Sequence, residues 1–440
     1  MKLNNKFLII VSFLLMNLTL MFVRSFTGLY IFGFRIGEFY IGFCFLVFLY
    51  ILIDLVIKKS SFFMVDNKIS IVLAILSFLF FISIIDLNNF IIDPYFFRTS
   101  SYIWSISFFY LGAKFYKNSF YDKYLIYSLT FLIIFLYFLL VIYRPEIFSN
   151  FFLNYSDKYE LHKGADVVLI FVLFSTIFFK KTQDNKFYLF FLTIVIGFYI
   201  PLILAISRTA FIAVILLILL NLKRFKFLIK DRAKLFITGL LLIISFNTSL
   251  YFIGTSSVFL DDYIRSELSF NDILDYRNEK FYENQFREEG MLPFLFVNDS
   301  RLYSGDGNLN WRFQIWQDVI EDLYDQNKII IGYGYNSKIP AMDLFYRSGN
   351  DGTNENVHNF FVNIIARGGL IHLTLFFGIF LNLYRYFKKE GNLNTYLFLL
   401  LPVMITSFFD ASMENSHFPV IFYFLIGNLI NKSKFKKINR

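Results

Sequence analysis

The chain has one cysteine, four histidines and only 17% charged residues in 440. Each shortage excludes something. The single Cys44 lies inside an apolar run, so no disulfide within the chain can staple an exported part. The histidines are His162, His358, His372 and His417, and neither an H-E-x-x-H nor a D-x-D triplet occurs. A zinc hydrolase and a metal-dependent nucleotide-sugar transferase therefore lack their usual signals. On a straight helix His358 and His372 would share a face but stand about 21 Å apart along the axis, too far to hold one ion. There is no Walker sequence and no Ser-His-Asp set that sequence alone assembles. No metal and no cofactor is expected.

What is present is apolar. Hydrophobic residues make up 57% and phenylalanine alone fills 63 positions, against about 45–50% apolar and about 25% charged residues in an average soluble domain. The excess falls in runs of roughly twenty, the length that crosses a bilayer core of about 30 Å. The expected fold is an all-α polytopic membrane protein with about 12 transmembrane helices, at 7–23, 39–57, 69–86, 100–113, 124–142, 165–179, 187–206, 208–222, 235–253, 357–384, 395–409 and 417–430. The first run is read as a retained span, since no small-residue cleavage site follows it.

Lys and Arg in the connections set the orientation. With the N-terminus in the cytoplasm, cytoplasmic segments hold 25 of them, among them Lys58, Lys59, Lys223, Arg224 and the tail Lys432–Arg440. The opposite side holds eight outside one long connection: Arg24, Arg35, Arg98, Arg144, Lys158, Lys163, Arg208 and Arg367. Both termini are thus expected inside.

The long connection, residues 254–356, has 18 acidic against 9 basic residues. Its length exceeds ordinary loops and points to function. The chain divides into spans 1–9 over residues 1–253, this exoplasmic loop with short helices, and spans 10–12 with a basic tail over 357–440. The net charge of +9 reflects topology, and no nucleic-acid partner is expected.

Three polar islands face the exoplasmic side. Ser207-Arg208-Thr209 sits between two apolar runs. Asn310-Trp311-Arg312-Phe313-Gln314-Ile315-Trp316 opens an amphipathic helix, with Trp311, Ile315, Val319 and Leu323 at helical spacing. Glu355-Asn356-Val357-His358-Asn359 leads into the tenth span. Each has a plainer reading: a snorkelling Arg208, a Trp-rich helix lying on the membrane surface, a His358 satisfied at a helix start, and a simple turn at Gly332-Tyr333-Gly334. Together they suggest more. Two guanidiniums can grip a diphosphate by paired hydrogen bonds, and an acidic loop needs such specific cations to hold any anion. His358, near a helix start that Asn356 could cap, would be neutral and could act as a general base. Arg367, about half a turn out of phase with His358, reads as an interfacial or packing cation. Glu414 and His417 could line the same cavity, a capped helix start being the simpler reading.

In order and spacing, Ser207-Arg208, the long loop, Arg312 followed by Trp316, Gly332-Tyr-Gly334, His358-Asn359 and Gly368-Gly369-Leu370 resemble the O-antigen ligase and O-antigen polymerase superfamily of bacterial envelopes. The resemblance covers roughly residues 200–385. It departs at Phe360-Phe361, where the family has a Leu-rich turn, and over 254–309. It implies a fold similar to GT-C lipid-linked glycosyltransferases and a site on the periplasmic face of the bacterial inner membrane. The donor would be an undecaprenyl-diphosphate-linked glycan, used without nucleotide or metal. Arg208 and Arg312 would bind the diphosphate, His358 would activate the acceptor hydroxyl, and Asn359 would orient His358. Trp311, Trp316, Gly332 and Gly334 would support the loop. The anomeric carbon would be inverted as undecaprenyl diphosphate leaves. The acceptor is a second lipid-linked glycan for a polymerase or lipid A core for a ligase, and a chain-length regulator is a further expected partner. Arg265, Arg277, Arg287 and Arg301 tip the balance towards the polymerase.

Two other classes compete. A lipid-linked oligosaccharide flippase should show interrupted helices and charges along a path through the bilayer, whereas most spans here carry none. A structural or export subunit would leave the ordered Arg, Arg and His set unexplained.

Overall fold

Long apolar runs without charge leave the backbone no partner but itself, so they fold as helices that bury every N–H and C=O internally. The computed structural model describes residues 2–57, 67–85, 94–115, 119–157, 159, 162–181, 186–221, 231–259, 295–298, 300–304, 307–336, 338–343, 347 and 355–438. Sixteen helices are named: α1 (Lys2–Thr27), α2 (Ile36–Ile57), α3 (Asn67–Ile85), α4 (Pro94–Thr99), α5 (Ser101–Ser105), α6 (Phe108–Phe115), α7 (Ser119–Tyr137), α8 (Glu146–Tyr155), α9 (Gly164–Lys181), α10 (Lys186–Ile206), α11 (Arg208–Asn221), α12 (Arg232–Thr255), α13 (Gly307–Asp325), α14 (Phe360–Lys389), α15 (Leu393–Phe409) and α16 (His417–Ile438). Two small antiparallel hairpins join them, β1 (Tyr30–Ile31) with β2 (Phe34–Arg35), and β3 (Leu295–Asn298) with β4 (Arg301–Ser304).

Five described stretches are long and apolar enough to cross a membrane: Ile36–Ile53, Leu125–Ile142, Lys186–Ile206, Arg232–Thr255 and Phe360–Lys389. Six shorter apolar stretches accompany them, in α1, α3, α9, α11, α15 and α16. The chain is an all-α, multi-pass membrane protein. The segment expected to span at 100–113 is two short helices, α5 and α6, separated at Ile106-Ser107. There the Ser107 hydroxyl donates to the Cys44 carbonyl at 2.7 Å. The bundle closes tightly where side chains vanish. A Cβ on Gly112 of α6 would collide with the Phe424 carbonyl of α16, and one on Gly427 with the Phe109 carbonyl.

The described residues of the long connection from 307 onward include a cap with its own small core. Ile315, Val319 and Leu323 are fully buried, with Ile339, Met342 and Val357. This is the stripe that the sequence spacing marks, and it packs on protein instead of lying on the membrane surface. The helix runs 19 residues, longer than the short helices expected. The unanticipated β3–β4 hairpin is clasped to it, because the Gln317 amide accepts from the Leu302 amide at 2.6 Å and donates to the Leu302 carbonyl at 2.8 Å. Asp318 ion-pairs with Arg301 and with the buried Arg347.

The helix α14 is broken. Gly369 has φ 67° and ψ −171°, a left-handed conformation that glycine adopts without steric cost. The break frees two carbonyls and two amides, and the cap takes up all four. Tyr333 and Gly334 amides donate to the carbonyls of Ala366 and Arg367 at 2.7 and 3.0 Å. Leu370 and Ile371 amides donate to the carbonyls of Ile329 and Ile330 at 3.0 and 3.3 Å. Gly332, at φ 75°, lies so close to Arg367 that a Cβ would strike its carbonyl group. Gly332 and Gly334 are therefore a docking turn seated in a helix break.

Candidate active site

α14 begins at Phe360, and its N-cap is Asn359, not Asn356. The Asn359 Oδ1 accepts from the Phe361 and Val362 amides at 2.9 and 3.1 Å, satisfying two of the amides that every helix start leaves open. Asn359 is 1% exposed, and its Nδ2 has no hydrogen-bond partner among the described residues. His358 precedes the helix in a left-handed turn at φ 52°. This conformation is costly for a residue with a Cβ and tends to occur at functional sites. The straight-helix relation between His358, Arg367 and His372 accordingly does not apply, since His358 lies outside the helix and His372 lies beyond its break.

The cap fixes that turn. The Trp316 indole N–H donates to the Val357 carbonyl at 2.8 Å, and the Trp311 ring lies 4.9 Å from the His358 ring, tilted by 58°. Arg312, between them on α13, sends Nη1 to the Phe409 carbonyl at the end of α15, 2.5 Å away. Arg312, His358, Asn359, Trp311 and Trp316 are thus brought together. Part of the surface of His358 reaches solvent, yet burial of the imidazole, with the Arg312 and Lys163 charges beside it, pushes its pKa down to about 3. It is neutral at physiological pH.

Arg208 is the first residue of α11 and is exposed. It is tied to this cluster through its neighbour Ser207. A Cβ on Gly164, the first residue of α9, would collide with Ser207, and Lys163 precedes Gly164. Lys163 and Arg312 act electrostatically on both His358 and Asp410. Burial raises the Asp410 carboxyl above its usual range, and the two cations partly counter that rise.

The turn from Asp410 to His417 closes the site from below. His417 Nε2 bonds Asp166 Oδ1 at 2.9 Å, and Asp166 Oδ2 accepts the Lys163 amide at 3.1 Å. Glu414 faces Asn363 and Arg367 of α14, and burial pushes its carboxyl up to about 8 despite Arg367. Glu414 Oε1, Ser412 Oγ and His417 Nδ1 are buried without a hydrogen-bond partner among the described residues. Glu414 thus faces α14, and His417 faces the start of α9. Arg367 is 3% exposed, with its guanidinium at the Gly334 carbonyl (3.5 Å) and the Tyr95 hydroxyl (3.3 Å). It is an interior cation, not an interfacial one. Among the described residues no group of three or more His, Cys, Asp or Glu side chains is placed to hold a metal ion.

Single-sequence reasoning missed Lys163, Asp410 and Asn363. Nothing local marks them, because their neighbours in space lie more than a hundred residues away in the chain or on another helix. Of the loop arginines, Arg301 is engaged by Asp318 and Glu321, while Arg265, Arg277 and Arg287 lie outside the described residues.

The arrangement is one neutral imidazole, flanked by cations, at the mouth of a membrane bundle. A family model described as O-antigen ligase matches residues 189–377. Over those residues the chain is similar to the O-antigen ligase family. No curated protein matches the chain. The O-antigen ligase match takes in Arg208, Arg312, the docking turn, His358 and Asn359. Lys163, Asp410 and Glu414 lie outside it.

Proposed function

We propose that the chain transfers a glycan from a polyprenyl diphosphate, undecaprenyl diphosphate in bacteria, to an acceptor hydroxyl. The reaction takes place on the periplasmic face of the inner membrane, with both termini in the cytoplasm and a GT-C-like bundle behind the site. The described residues of 1–253 and 357–440 form the bundle, and those of 254–356 include the catalytic cap. The observation that carries this reading is the left-handed His358 turn, held between Trp311, Arg312 and the Asn359 cap.

Arg312 and Arg208 take the donor's diphosphate. His358 removes the proton from the acceptor oxygen as that oxygen attacks the anomeric carbon. The bond from the anomeric carbon to phosphate breaks, and its electron pair leaves on the carrier diphosphate, inverting the carbon in a single displacement without metal. Burial, and after it the Arg312 and Lys163 charges, weakens His358 as a base. A bound diphosphate neutralises those charges, and an anion beside imidazole raises its basicity. Donor binding thus strengthens the base before the acceptor is deprotonated.

Asn359 spends its side-chain oxygen on the helix cap, so it holds the backbone of His358 in place and leaves Nδ2 for substrate. A polymerase and a ligase share this donor half. The O-antigen ligase description favours lipid A core as acceptor. The loop arginines favour a second lipid-linked glycan, and the engagement of Arg301 weakens that count.

The test is transfer in liposomes with purified protein, undecaprenyl-diphosphate oligosaccharide, excess chelator and no nucleotide. Ladders of repeat units identify a polymerase, whose partner in the cell would be a chain-length regulator. Product only with lipid A core identifies a ligase. Movement of the lipid across the bilayer with no product defeats the transferase reading.

A further inference from the structure

Two connections between helices carry more apolar surface than water favours. The first is the β1–β2 hairpin between α1 and α2. Its turn is Phe32-Gly33, with both residues at positive φ, 52° and 81°. Such a turn favours Asn, Asp or Gly at its first position, because a bulky side chain there is strained. Phe32 takes that strain and is nonetheless 95% exposed, with Tyr30, Ile31 and Phe34 exposed beside it. In water that ring gains nothing to offset the strain.

The second is α8, which starts three residues after the spanning stretch Leu125–Ile142. Residues four apart lie on one face of a helix, and α8 has three such faces. Phe148 and Phe152 pack on Phe22 of α1, with ring centroids 5.1 and 4.9 Å away. Ile147, Phe151 and Tyr155 form an exposed apolar face, and Glu146, Asn150 and Asn154 an exposed polar one. Leu153 alone departs from the pattern, exposed on the polar side. A helix with a protein face, an apolar face and a polar face fits a boundary between lipid and water.

Hairpin and helix are one body. Leu29 bridges to Ser156, and the Ser156 hydroxyl donates to the Ser25 carbonyl at 2.8 Å. The Asp157 amide donates to the Gly28 carbonyl at 3.1 Å, and the Asp157 carboxylate pairs with Arg35 at 3.2 Å. The apolar surface of this body runs on from a span. The Phe34 ring lies 6.0 Å from that of Phe39, the first of the exposed stripe Phe39, Phe43, Leu46, Tyr50 and Ile53 along α2. That stripe belongs to a stretch long enough to cross a membrane, so it faces acyl chains. Rings that continue it past its end lie where the chains give way to headgroups.

The same body touches the capped end. A Cβ on Gly37, at the start of α2, would meet Ser416 in the turn before α16. Beyond Asp157, His162 Nε2 donates to the Leu20 carbonyl at 2.8 Å. Two residues later, Gly164 packs against Ser207, the neighbour of Arg208.

We infer that the β1–β2 hairpin and α8 form a foot whose partner is the lipid bilayer, seated in the headgroup boundary on the side of the candidate site. The foot fixes the height at which that site meets a membrane-borne donor. Only this second part rests on the reading of the chain as a lipid-linked glycan transferase.

The test puts nitroxide labels on the full-length protein in phosphatidylethanolamine–phosphatidylglycerol vesicles, at Phe32→Cys, Phe151→Cys and, on the polar face, Asn150→Cys. Cys44 is fully buried, and the wild type serves as the labelling blank. Collisions with oxygen, which concentrates among acyl chains, should exceed collisions with a water-soluble nickel chelate at 32 and 151. The order should reverse at 150. Nickel access at 32 and 151 equal to that at 150 overturns the seat. Protection from both reagents also overturns it and assigns the face to a second copy of the chain.

Height is tested by Phe32→Asn, which suits the turn, combined with Phe151→Gln. The melting temperature in detergent should hold, while KM for an undecaprenyl-diphosphate donor in vesicles rises about tenfold as two rings leave the boundary. KM for a water-soluble short-chain donor in detergent should not change. Equal changes for the two donors, or none, overturn the role in height. A wild type that turns over neither donor removes the transferase reading, and the labels still decide the seat.

Discussion

The bundle and its capped end treat buried polar groups in opposite ways. In the bundle, hydroxyls are mostly answered by their own helix: Thr176 donates to the Val172 carbonyl at 2.7 Å, Thr193 to Leu189 at 2.9 Å and Ser245 to Leu241 at 2.7 Å. The exceptions there, such as Ser175 Oγ and Tyr423 Oη, are scattered. At the capped end, Asn359 Nδ2, Ser412 Oγ, Glu414 Oε1 and His417 Nδ1 are left open, with Arg301 Nε and Tyr333 Oη farther along the cap. A buried polar atom without a partner costs about 1–3 kcal/mol. A cluster of such atoms beside cations and a strained histidine is what remains when a site is shaped for a ligand and not for itself.

Substitutions can break or sharpen this contrast. The largest effect is expected from His358→Ala, which should lower transfer by about 10²–10⁴-fold, the range of a general base, and leave farnesyl diphosphate binding nearly unchanged by calorimetry. Turnover close to wild type would remove His358 from the chemistry. Arg312→Lys keeps the charge and loses the planar fork, so donor turnover should fall by about an order of magnitude; an unchanged rate would separate Arg312 from the diphosphate.

Gly369→Ala tests the seat of the cap. Strain at a left-handed position costs about 1–3 kcal/mol, and the new Cβ meets the Ile330 carbonyl. A lower melting temperature and faster proteolysis of the cap are expected, and an unshifted melt would mean that the docking turn does not hold it. The same substitution at Gly239, where a Cβ meets nothing, is the bundle control.

Glu414 gives a pH signature. Its folded pKa, about 8, is above the ordinary 4.5, so between those values the folded state keeps a proton that the unfolded state releases. That contribution to stability is complete below about pH 4.5 and is lost as pH rises through 8. Asp410 adds to it in the same direction. Melting temperatures taken at pH 6 and pH 9 should fall for the wild type and fall less for Glu414→Gln; parallel losses would relocate the titrating group. Smallest of all, Thr176→Val in the bundle should change stability by about 1 kcal/mol or less and leave transfer untouched, as measured by melt and by rate.

How much of this was legible depends on the range of the interaction. The expected spans 187–206, 208–222 and 395–409 lie close to Lys186–Ile206, Arg208–Asn221 and Leu393–Phe409, because bilayer thickness is written directly as run length. The stripe from Trp311 to Leu323 was legible because helical spacing is local. The cap residue was read three positions early, at Asn356, since both asparagines satisfy the same local rule and tertiary packing of Val357 under Trp316 chose between them. Gly368-Gly369 stood out as letters, but the break they make depends on the turn around Gly332 that fills it. The meeting of Lys163, Asp410 and His358 spans elements far apart in the chain and leaves no periodic trace.

The docked turn has a consequence for how the protein is made. The carbonyls of Ala366 and Arg367 and the amides of Leu370 and Ile371 have their partners only when segment 329–334 is already folded against them. That segment leaves the ribosome first, fewer than forty residues ahead, so the loop to be closed is short and its entropy cost modest. The first half of α14 is thus completed by a piece of chain made before it. Insertion of this helix and folding of the cap become one cooperative event, and a cap that misfolds leaves the helix unfinished.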